Sequence, residues 1–202
     1  DSKEFAEALG IVWALGSSSN GTFNIRHSNR ETIERFITLV RSRPLRSQTA
    51  YIQGDKNKPY EQWVSGMQAN HPFLVKINSM GWASINSEDR PYPKGEFNDE
   101  IFCKTYICLR HSLSTSYSKR KNYVRPQFYI FGSFEILTSI SNFLTEQLDV
   151  TKKKVQNHSG SKITKSIIYS SKEEVPKILR YIEANETLEK FKSLKLGYIN
   201  EF

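Results

Sequence analysis

The sequence has few of the residues that crosslink small secreted domains or bind metal ions. Its 202 residues include two cysteines, Cys103 and Cys108, and four histidines. Two cysteines on different faces of one predicted helix form no disulfide framework, and the histidines lack the spacing of metal ligands. We therefore expect buried, reduced thiols of an intracellular protein, with neither a metal site nor a cofactor.

Long apolar runs are missing as well. No apolar stretch approaches the roughly 20 residues that span a bilayer, and no signal-peptide pattern is present. The sequence also lacks a basic amphipathic helix with a clean apolar face, which would indicate a membrane surface. These absences predict a cytoplasmic protein without membrane contact. The sequence begins at Asp1 rather than at methionine, as a fragment of a longer chain would.

Acidic residues are outnumbered by basic ones. The chain has 29 Lys and Arg against 21 Asp and Glu, which gives a net charge of +8. Because the excess is spread over many segments, we expect a broadly positive surface, which attracts polyanions. Nucleic acid is the partner that this charge favours. We therefore expect the protein to be located at the nucleoid.

The sequence does contain one order of elements that occurs twice. In the first half, hydrophobic spacing predicts a helix at 3–16, a strand in "TFNIRH", a helix in "NRETIERFITLVRSR", a hairpin about "GDKNKP" and a helix in "HPFLVKINSMGW". In the second half it predicts a long helix at 98–113, a strand in "NYVRPQFYIFG", a helix in "SFEILTSISNFLTEQL", a hairpin about "HSGS" and a helix in "KEEVPKILRYIEAN".

Two connecting segments separate these elements. "GSSSNG", directly after the first helix, is typical of a turn. The stretch 86–97 holds prolines, charges and a glycine, which is typical of a linker. The sequence therefore predicts a duplicated α/β unit, with a first repeat at 1–85, a linker at 86–97 and a second repeat at 98–202.

The ordered set of elements resembles the LAGLIDADG homing endonucleases. The name motif falls on Ala8–Gly16, "ALGIVWALG", where Gly10, Ala14 and Gly16 match, and again on Cys103–His111, "CKTYICLRH". The second copy is more degenerate, with Thr105 where a small glycine is usual. Beyond the second copy, "RPQFYIFGSFEILTSISNFL" looks like the family's strand, Gly-Ser turn and next helix.

The resemblance implies a fold and a site. The fold is α+β, with two pseudo-symmetric αββαββα half-domains whose antiparallel strands form a DNA-binding saddle. The two motif helices pack together through small residues, which here are Gly10, Ala14 and Gly16. In the family, the last acidic residue of each motif binds the divalent metal ion that cuts DNA.

This sequence departs from the family at those two acidic positions. They are occupied by Leu15, which cannot bind a metal ion, and by Arg110, which repels one and can pair with a phosphate instead. The carboxylates of Glu4, Glu7 and Asp99 lie at the wrong ends of the motif helices to replace the missing acids. We therefore expect no catalytic residue, no metal ion and no enzymatic activity.

The exposed faces of the predicted strands remain as the functional surface. Arg, Gln and Asn are the side chains that make paired hydrogen bonds to guanine and adenine, and clustered Lys and Arg contact phosphates. The residues expected to contact DNA are Asn24, Arg26, Arg46, Gln48, Gln53, Arg110, Lys119, Arg120, Lys121, Arg125, Gln127, Tyr129, Lys154, Gln156, Lys162 and Lys165.

The sequence thus predicts a sequence-specific binder of double-stranded DNA, a monomer with internal pseudo-twofold symmetry. Its expected use is transcriptional regulation of a bacterial or phage type. Two alternatives stay open: a splicing maturase that binds intron RNA, and a homing endonuclease whose acids have relocated.

Overall fold

The computed structural model describes residues 2–19, 21–82, 87–158 and 160–199. It is a mixed α/β structure with two antiparallel sheets. The element order αββαββα occurs twice along the chain, which confirms the order that the resemblance implies. Within these ranges, no helix is both long enough and apolar enough to cross a membrane.

The chain divides into two compact units. The first unit takes in Asp1–Ser87 and Pro93–Phe102, and the second takes in Glu88–Tyr92 and Cys103–Phe202. The segment predicted as a linker is therefore divided between the two units. The predicted repeat boundaries themselves stay a prediction.

The first unit combines helices with a four-stranded sheet of order β1-β2-β4-β3. Its elements are α1 (Lys3–Leu15), β1 (Gly16–Ser19), β2 (Thr22–His27), α2 (Arg30–Val40), β3 (Arg46–Tyr51), β4 (Pro59–Met67) and α3 (Pro72–Ser79).

Helix α1 lies inside the protein, which explains why it is apolar on almost every side. All residues from Ala8 to Ala14 are buried, as is Ala6. The Ser2 hydroxyl caps the helix by accepting a hydrogen bond from the Phe5 N–H at 3.1 Å, as Ser and other short polar residues do at helix N-termini. A helix with apolar residues on all faces is stable in water only when it is enclosed in this way.

Gly16 ends α1 under a cluster of aromatic rings. A Cβ atom built on Gly16 would lie 2.6 Å from the Val12 carbonyl oxygen and 2.7 Å from Trp82 Cη2. The Trp82 ring also packs edge-on against Trp13 and Phe23, with ring centroids 5.3 and 5.6 Å apart. A residue without a side chain is therefore required at position 16.

The second unit repeats this plan with a sheet of order β5-β6-β8-β7, and a short strand β9 pairs with β6. Its elements are α4 (Asp99–Leu109, whose first four residues belong to the first unit), β5 (His111–Ser118), β6 (Tyr123–Gly132), α5 (Phe134–Leu148), β7 (Gln156–Asn157), β8 (Lys165–Tyr169), α6 (Glu174–Tyr181), α7 (Asn185–Lys192) and β9 (Gly197–Tyr198).

The core of the second unit lies between its sheet and helices α5 and α6. Phe128 and Ile130 of β6 are fully buried on one face of the sheet, and Ile136, Ile140 and Leu144 of α5 are buried as well. This alternation along β6 confirms the prediction that Arg125, Gln127 and Tyr129 share the other face.

Two strands correct the sequence analysis. The helix predicted at 98–113 ends at Leu109, because residues from His111 onward pair with β6 as strand β5. "GSSSNG", predicted as a turn, contributes Gly16–Ser19 to strand β1, which pairs with β2. In both cases the segment pairs with the strand that follows it in a hairpin, and this pairing determines its conformation.

The two cysteines differ from the expectation of two buried thiols. Cys103 is buried, but Cys108 is exposed. The Cys108 thiol donates a hydrogen bond to the Ile182 carbonyl oxygen at 3.1 Å, which joins α4 to the segment after α6. The expectation is therefore correct for Cys103, whereas the Cys108 residue is exposed although burial of its thiol raises its pKa to about 11.

His111 ties the start of β5 to two helices. Its Nδ1 lies 2.8 Å from the Ile107 carbonyl oxygen, and its Nε2 lies 2.8 Å from the Thr187 hydroxyl. Because a carbonyl oxygen only accepts hydrogen bonds, we infer that Nδ1 carries the proton in the neutral ring and Nε2 accepts from Thr187. Burial lowers the pKa of His111 below its ordinary value of 6.5.

We expect the substitution Gly16→Ala to destabilise the first unit. The added methyl group would collide with a backbone oxygen and a buried ring, a form of overpacking that costs about 2 kcal/mol in the free energy of unfolding. All three tryptophans, Trp13, Trp63 and Trp82, lie in the first unit. Urea unfolding followed by tryptophan fluorescence therefore measures this unit.

The matched control is Ser17→Ala, the exposed neighbour, which should change the free energy of unfolding by less than about 0.5 kcal/mol. An effect of Gly16→Ala no larger than that of the control would show that the site tolerates a side chain.

We also expect His111 to make the second unit less stable in mild acid. The unfolded chain binds a proton on this ring near pH 6.5, whereas the folded state resists protonation to lower pH. The stabilisation is therefore present above pH 6.5 and is lost as the pH falls towards the lower folded pKa. An NMR titration of the His111 ring protons checks this, with the urea-unfolded chain as reference, and a folded midpoint at or above the unfolded one would contradict it.

Candidate nucleic-acid interface

The outer face of the first sheet is fixed by the register of its strands. Directly paired residues share a face, and neighbours along a strand alternate between faces. Phe23 and Ile25 of β2 are buried on the inner face. Asn24 and Arg26 therefore point outward, as the sequence predicts.

Two arginines form one row across this outer face. Arg26 and Arg46 each pair with Val64 of β4, one from either side. Both arginines are exposed, while Val64 between them is only 3% exposed. Long basic side chains commonly cover apolar surface with their stems while the charged ends stay in water, and this arrangement leaves two guanidinium groups for a ligand.

Amide side chains flank this pair of arginines. Gln48 and Gln62 face each other in the next row, and the Gln48 amide nitrogen donates to Gln62 Oε1 at 2.9 Å. On the other side Asn24 lies over Gly66, since a Cβ atom there would be 2.8 Å from Asn24 Oδ1. Among the described residues of β2, β3 and β4, none on this face is acidic. Arginine and amide groups without acidic neighbours can donate hydrogen bonds to base edges or phosphates.

Gln53 is the predicted contact that lies outside the strands of the first sheet. It is exposed at the turn between β3 and β4, with a backbone φ of 53°. It therefore lies at the tip of the hairpin and is not part of the outer face.

The outer face of the second sheet pairs a row of serines with larger side chains. Strand β5 presents Ser112, Ser114, Ser116 and Ser118, which pair in turn with Tyr129, Gln127, Arg125 and Tyr123 of β6. Arg125 Nε donates to the Ser116 hydroxyl at 3.1 Å, and the Tyr129 hydroxyl donates to Gln127 Oε1 at 2.6 Å. These hydrogen bonds orient Arg125 and Gln127 on the face.

One end of this second face is aromatic. The rings of Tyr129 and Phe131 are stacked, with centroids 5.9 Å apart and planes 10° apart. The ring of His158 packs edge-on against both, at 5.0 Å from each. The face therefore has Arg125 towards one end of β6 and this aromatic cluster towards the other.

The predicted basic contacts of the second unit fall mostly in connecting segments. Lys119, Arg120 and Lys121 are exposed in the turn between β5 and β6. Lys154 and Lys162 are exposed before and after β7, outside the strands. Such side chains suit phosphates, which need only a nearby cation.

Lys165 does not share the face of Gln156. Gln156 pairs with Ser166, which also pairs with Phe131 on the outer face. Lys165 pairs with Gly132 and Asn157, so it lies on the opposite face. Its predicted place on the exposed face is wrong. The register of pairing with the neighbouring strands decides which alternate residues of a strand face outward.

The two positions that the resemblance assigns to catalytic acids lie at the ends of α1 and α4. Leu15 is the last residue of α1 and is half-buried. Arg110 comes directly after α4, and its backbone N–H bonds to the Ile107 carbonyl oxygen at 3.2 Å. A cation at this point also interacts favourably with the partial negative charge of a helix C-terminus.

Arg110 belongs to a small cluster of positive charge. Burial lowers the pKa of Arg90 to about 10, and the charge of Arg110 contributes to this lowering. Burial raises the pKa of Tyr106, and the guanidinium groups of Arg110 and Arg90 oppose that rise. Arg110 Nε is buried and has no hydrogen-bonding partner among the described residues. The Glu88 carboxylate also acts on Arg90 and opposes the lowering of its pKa, so the cluster contains one acidic group beside the two guanidinium groups.

These residues do not fit the divalent metal ion that the fold family implies. Leucine offers no ligand atom, and two guanidinium groups repel a cation. In the described part of the chain, no three His, Cys, Asp or Glu side chains come together in a way that could hold a metal ion.

Reasoning from the sequence overlooked several of the residues on these surfaces. The serines of β5 carried a signal, because "HSLSTSYS" alternates polar and larger residues with the period of a strand. Arg90 had no such signal in the sequence, because it lies in the stretch predicted as a linker. Only the fold places it near Arg110.

The same fold occurs in homing endonucleases of known structure that are bound to DNA. The LAGLIDADG homing endonuclease I-GzeII, in complex with its DNA target, matches with a TM-score of 0.57 and 12% identity over 95% of this chain and 87% of its own. I-LtrWI, bound to target DNA, matches with a TM-score of 0.57 and 12% identity over 95% and 89% of the two chains. The meganuclease I-CpaMI, bound to uncleaved DNA, matches with a TM-score of 0.57 and 12% identity over 95% and 90%.

No protein-family model matches the sequence, and neither does any curated protein. The likeness is therefore one of backbone structure, extending over nearly the whole chain. The chain accordingly has the fold of the LAGLIDADG homing endonucleases.

Proposed function

We propose that this protein binds double-stranded DNA in a sequence-specific manner through the outer faces of its two sheets. The observation that carries the proposal is the composition of the first face, where Arg26, Arg46, Asn24 and Gln48 project without an acidic neighbour among the described residues of β2–β4. Arginine pairs with guanine and asparagine or glutamine with adenine through two hydrogen bonds each, and such pairs distinguish base pairs.

The second face supports the same use. Arg125 and Gln127 are held by hydrogen bonds to neighbouring side chains, which lowers the cost of ordering them on a ligand. The exposed lysines and arginine of the β5–β6 turn and the lysines beside β7 supply phosphate contacts. The solved structures that share the fold include several in complex with DNA, which supports this partner.

We further propose that the protein does not cleave the DNA it binds. The two positions that the resemblance assigns to the family's acids hold a leucine and an arginine. In place of a metal ion, Arg110 would neutralise a backbone phosphate directly, because a guanidinium group matches a phosphate in charge and hydrogen-bonding geometry.

Specific DNA binding without cleavage is sufficient for regulation, since a bound protein can block or recruit other proteins at its site. The proposed role is transcriptional regulation by a monomer with internal pseudo-twofold symmetry, located with the bacterial or phage DNA. A splicing maturase and an endonuclease with relocated acids are the two alternatives, and binding and cleavage experiments distinguish them.

Selection of bound duplexes from a random DNA pool tests sequence-specific binding. We expect a defined site, and we expect Arg26→Ala to weaken binding to it by about 1–3 kcal/mol and to relax the preference at one base pair. The control is Lys177→Gln, which removes an exposed charge from helix α6 and should leave the preference unchanged. If no duplex is enriched, or if structured intron RNA binds more tightly than every duplex, the proposal fails.

The role of Arg110 is tested by reversing its charge. Arg110→Asp should weaken duplex binding and reduce the slope of log Kd against log salt concentration by about one, because one phosphate contact is lost. Arg110→Lys keeps the charge and should retain the slope. Identical binding by all three proteins across salt concentrations would show that Arg110 lies away from the phosphates, and circular dichroism confirms that each variant is folded.

The absence of cleavage is tested with a supercoiled plasmid that carries a selected site. In Mg²⁺ or Mn²⁺ we expect the plasmid to stay intact while the site is bound. Nicking or linearisation that persists through purification would establish an endonuclease with relocated acids.

A further inference from the structure

A cleft in the second unit is lined by two cations and three hydroxyl groups. Its lining residues are Ser118, Lys121, Tyr123, Arg125 and Tyr198, and its volume is about 430 Å³. None of these five residues is acidic. Two of them, Lys121 and Arg125, are exposed, and Tyr198 is 52% exposed, so the cleft is open to a ligand.

The sheet register brings four of these residues onto one face. Ser118 pairs with Tyr123, and Tyr123 pairs with Tyr198 of β9. Arg125 lies two residues along β6 from Tyr123 and therefore points to the same side. The cleft is thus at the turn end of the outer face of the second sheet, and Lys121 reaches it from the turn.

The frame of the cleft is held by backbone hydrogen bonds. The Asn122 N–H bonds to the Lys119 carbonyl oxygen at 3.4 Å, and Asn122 adopts a left-handed conformation with φ of 48°. The Ile199 N–H bonds to the Asn122 carbonyl oxygen at 3.1 Å, which ties the end of β9 to the turn. The Tyr123 and Tyr198 rings then pack edge to face, 5.0 Å apart.

Most of the polar groups in the cleft have no hydrogen-bonding partner among the residues that the structure describes. Arg125 uses Nε for Ser116 and leaves its two terminal nitrogens unbonded within the described structure. The same holds for the Lys121 ammonium group and for the hydroxyls of Ser118 and Tyr198. A third cation, Lys172, lies 5.2 Å from the centre of the Tyr123 ring. Because the described lining of the cleft contains cations and no acidic residue, a bound anion would be attracted to it.

We propose that this cleft is a phosphate-binding site that holds one backbone phosphate of the DNA duplex. A phosphate has the charge for Lys121 and Arg125 and the oxygen acceptors for the hydroxyls of Ser118 and Tyr198. The inference rests on the proposed DNA binding and extends it. It assigns Arg125 to a phosphate rather than to a base, and it gives strand β9 a role in DNA binding.

This assignment separates phosphate contact from base contact at Arg125. If Arg125 holds a phosphate, Arg125→Gln weakens binding to all duplexes by a similar factor and leaves the selected sequence unchanged. If Arg125 reads a base, the variant relaxes the preference at one position, and that result would overturn the assignment.

The cleft itself is tested with Lys121→Gln and Tyr198→Phe. We expect Lys121→Gln to lower the salt slope by about one, and Tyr198→Phe to weaken binding at least about tenfold through loss of one hydrogen bond to a charged group. Duplexes in which single phosphates are replaced by uncharged methylphosphonates then locate the contact. We expect one such methylphosphonate to weaken DNA binding by the unaltered protein. The same methylphosphonate should not weaken DNA binding by the Lys121→Gln, Tyr198→Phe double variant any further.

The matched control is again Lys177→Gln, which should respond to every methylphosphonate as the unaltered protein does. Equal responses of the double variant and the unaltered protein at every position would overturn the proposal while leaving DNA binding intact.

Free phosphate is distinguished from the DNA backbone by NMR titration with inorganic phosphate and with AMP. Millimolar or weaker binding that perturbs Lys121 and Tyr198 supports the backbone as the source. Micromolar binding of either free ligand, lost in the double variant, would identify a small-molecule site and overturn the assignment to DNA. If the protein binds no duplex at all, the proposed function is wrong. The titration with phosphate and AMP then still decides whether the cleft binds phosphate.

Discussion

The alternation of side chains along a paired strand is the constraint on which the proposed function depends. In each sheet one set of alternate residues is buried against helices, with Phe23 and Ile25 in the first unit and Phe128 and Ile130 in the second. Once these residues are fixed inside, the residues between them must face outward. Arg26 and Arg125 therefore lie on outer faces as a consequence of core formation, and a register shift of one residue would bury both charges.

Glycine and aromatic residues fix the position of the motif helices within this arrangement. Gly16 lets the Trp82 ring lie directly on the end of α1. In the second unit Gly132 does the same for Tyr106, because a Cβ atom there would lie 2.5 Å from the Tyr106 hydroxyl, which itself donates to the Phe131 carbonyl oxygen. Tyr106 in turn lies beside Arg110. Arg110 is thus held against the core of its unit, which is what the proposed contact with DNA requires.

Much of the fold could be predicted from the sequence because the strongest patterns are local. "TFNIRH" and "RPQFYIFG" alternate cleanly, and both are strands with the predicted faces. The amphipathic spacing that predicts α2, α5 and α6 is borne out by their buried residues. Strand β5 was not predicted because the apolar residues before it continue at helical spacing. Its strand conformation depends on pairing with β6.

The sequence by itself determined which chemical groups the protein has to offer. It put Leu15 and Arg110 at the positions that the resemblance assigns to the family's acids, supplied the net positive charge, and set the alternation that separates inner from outer residues. The tertiary structure alone decided which of these groups meet. Register placed Lys165 on the opposite face from Gln156, and strand β9 brought Tyr198 beside Tyr123, far earlier in the chain. Such groupings depend on pairing between distant segments, and the energy of that pairing is not visible in any local window of sequence.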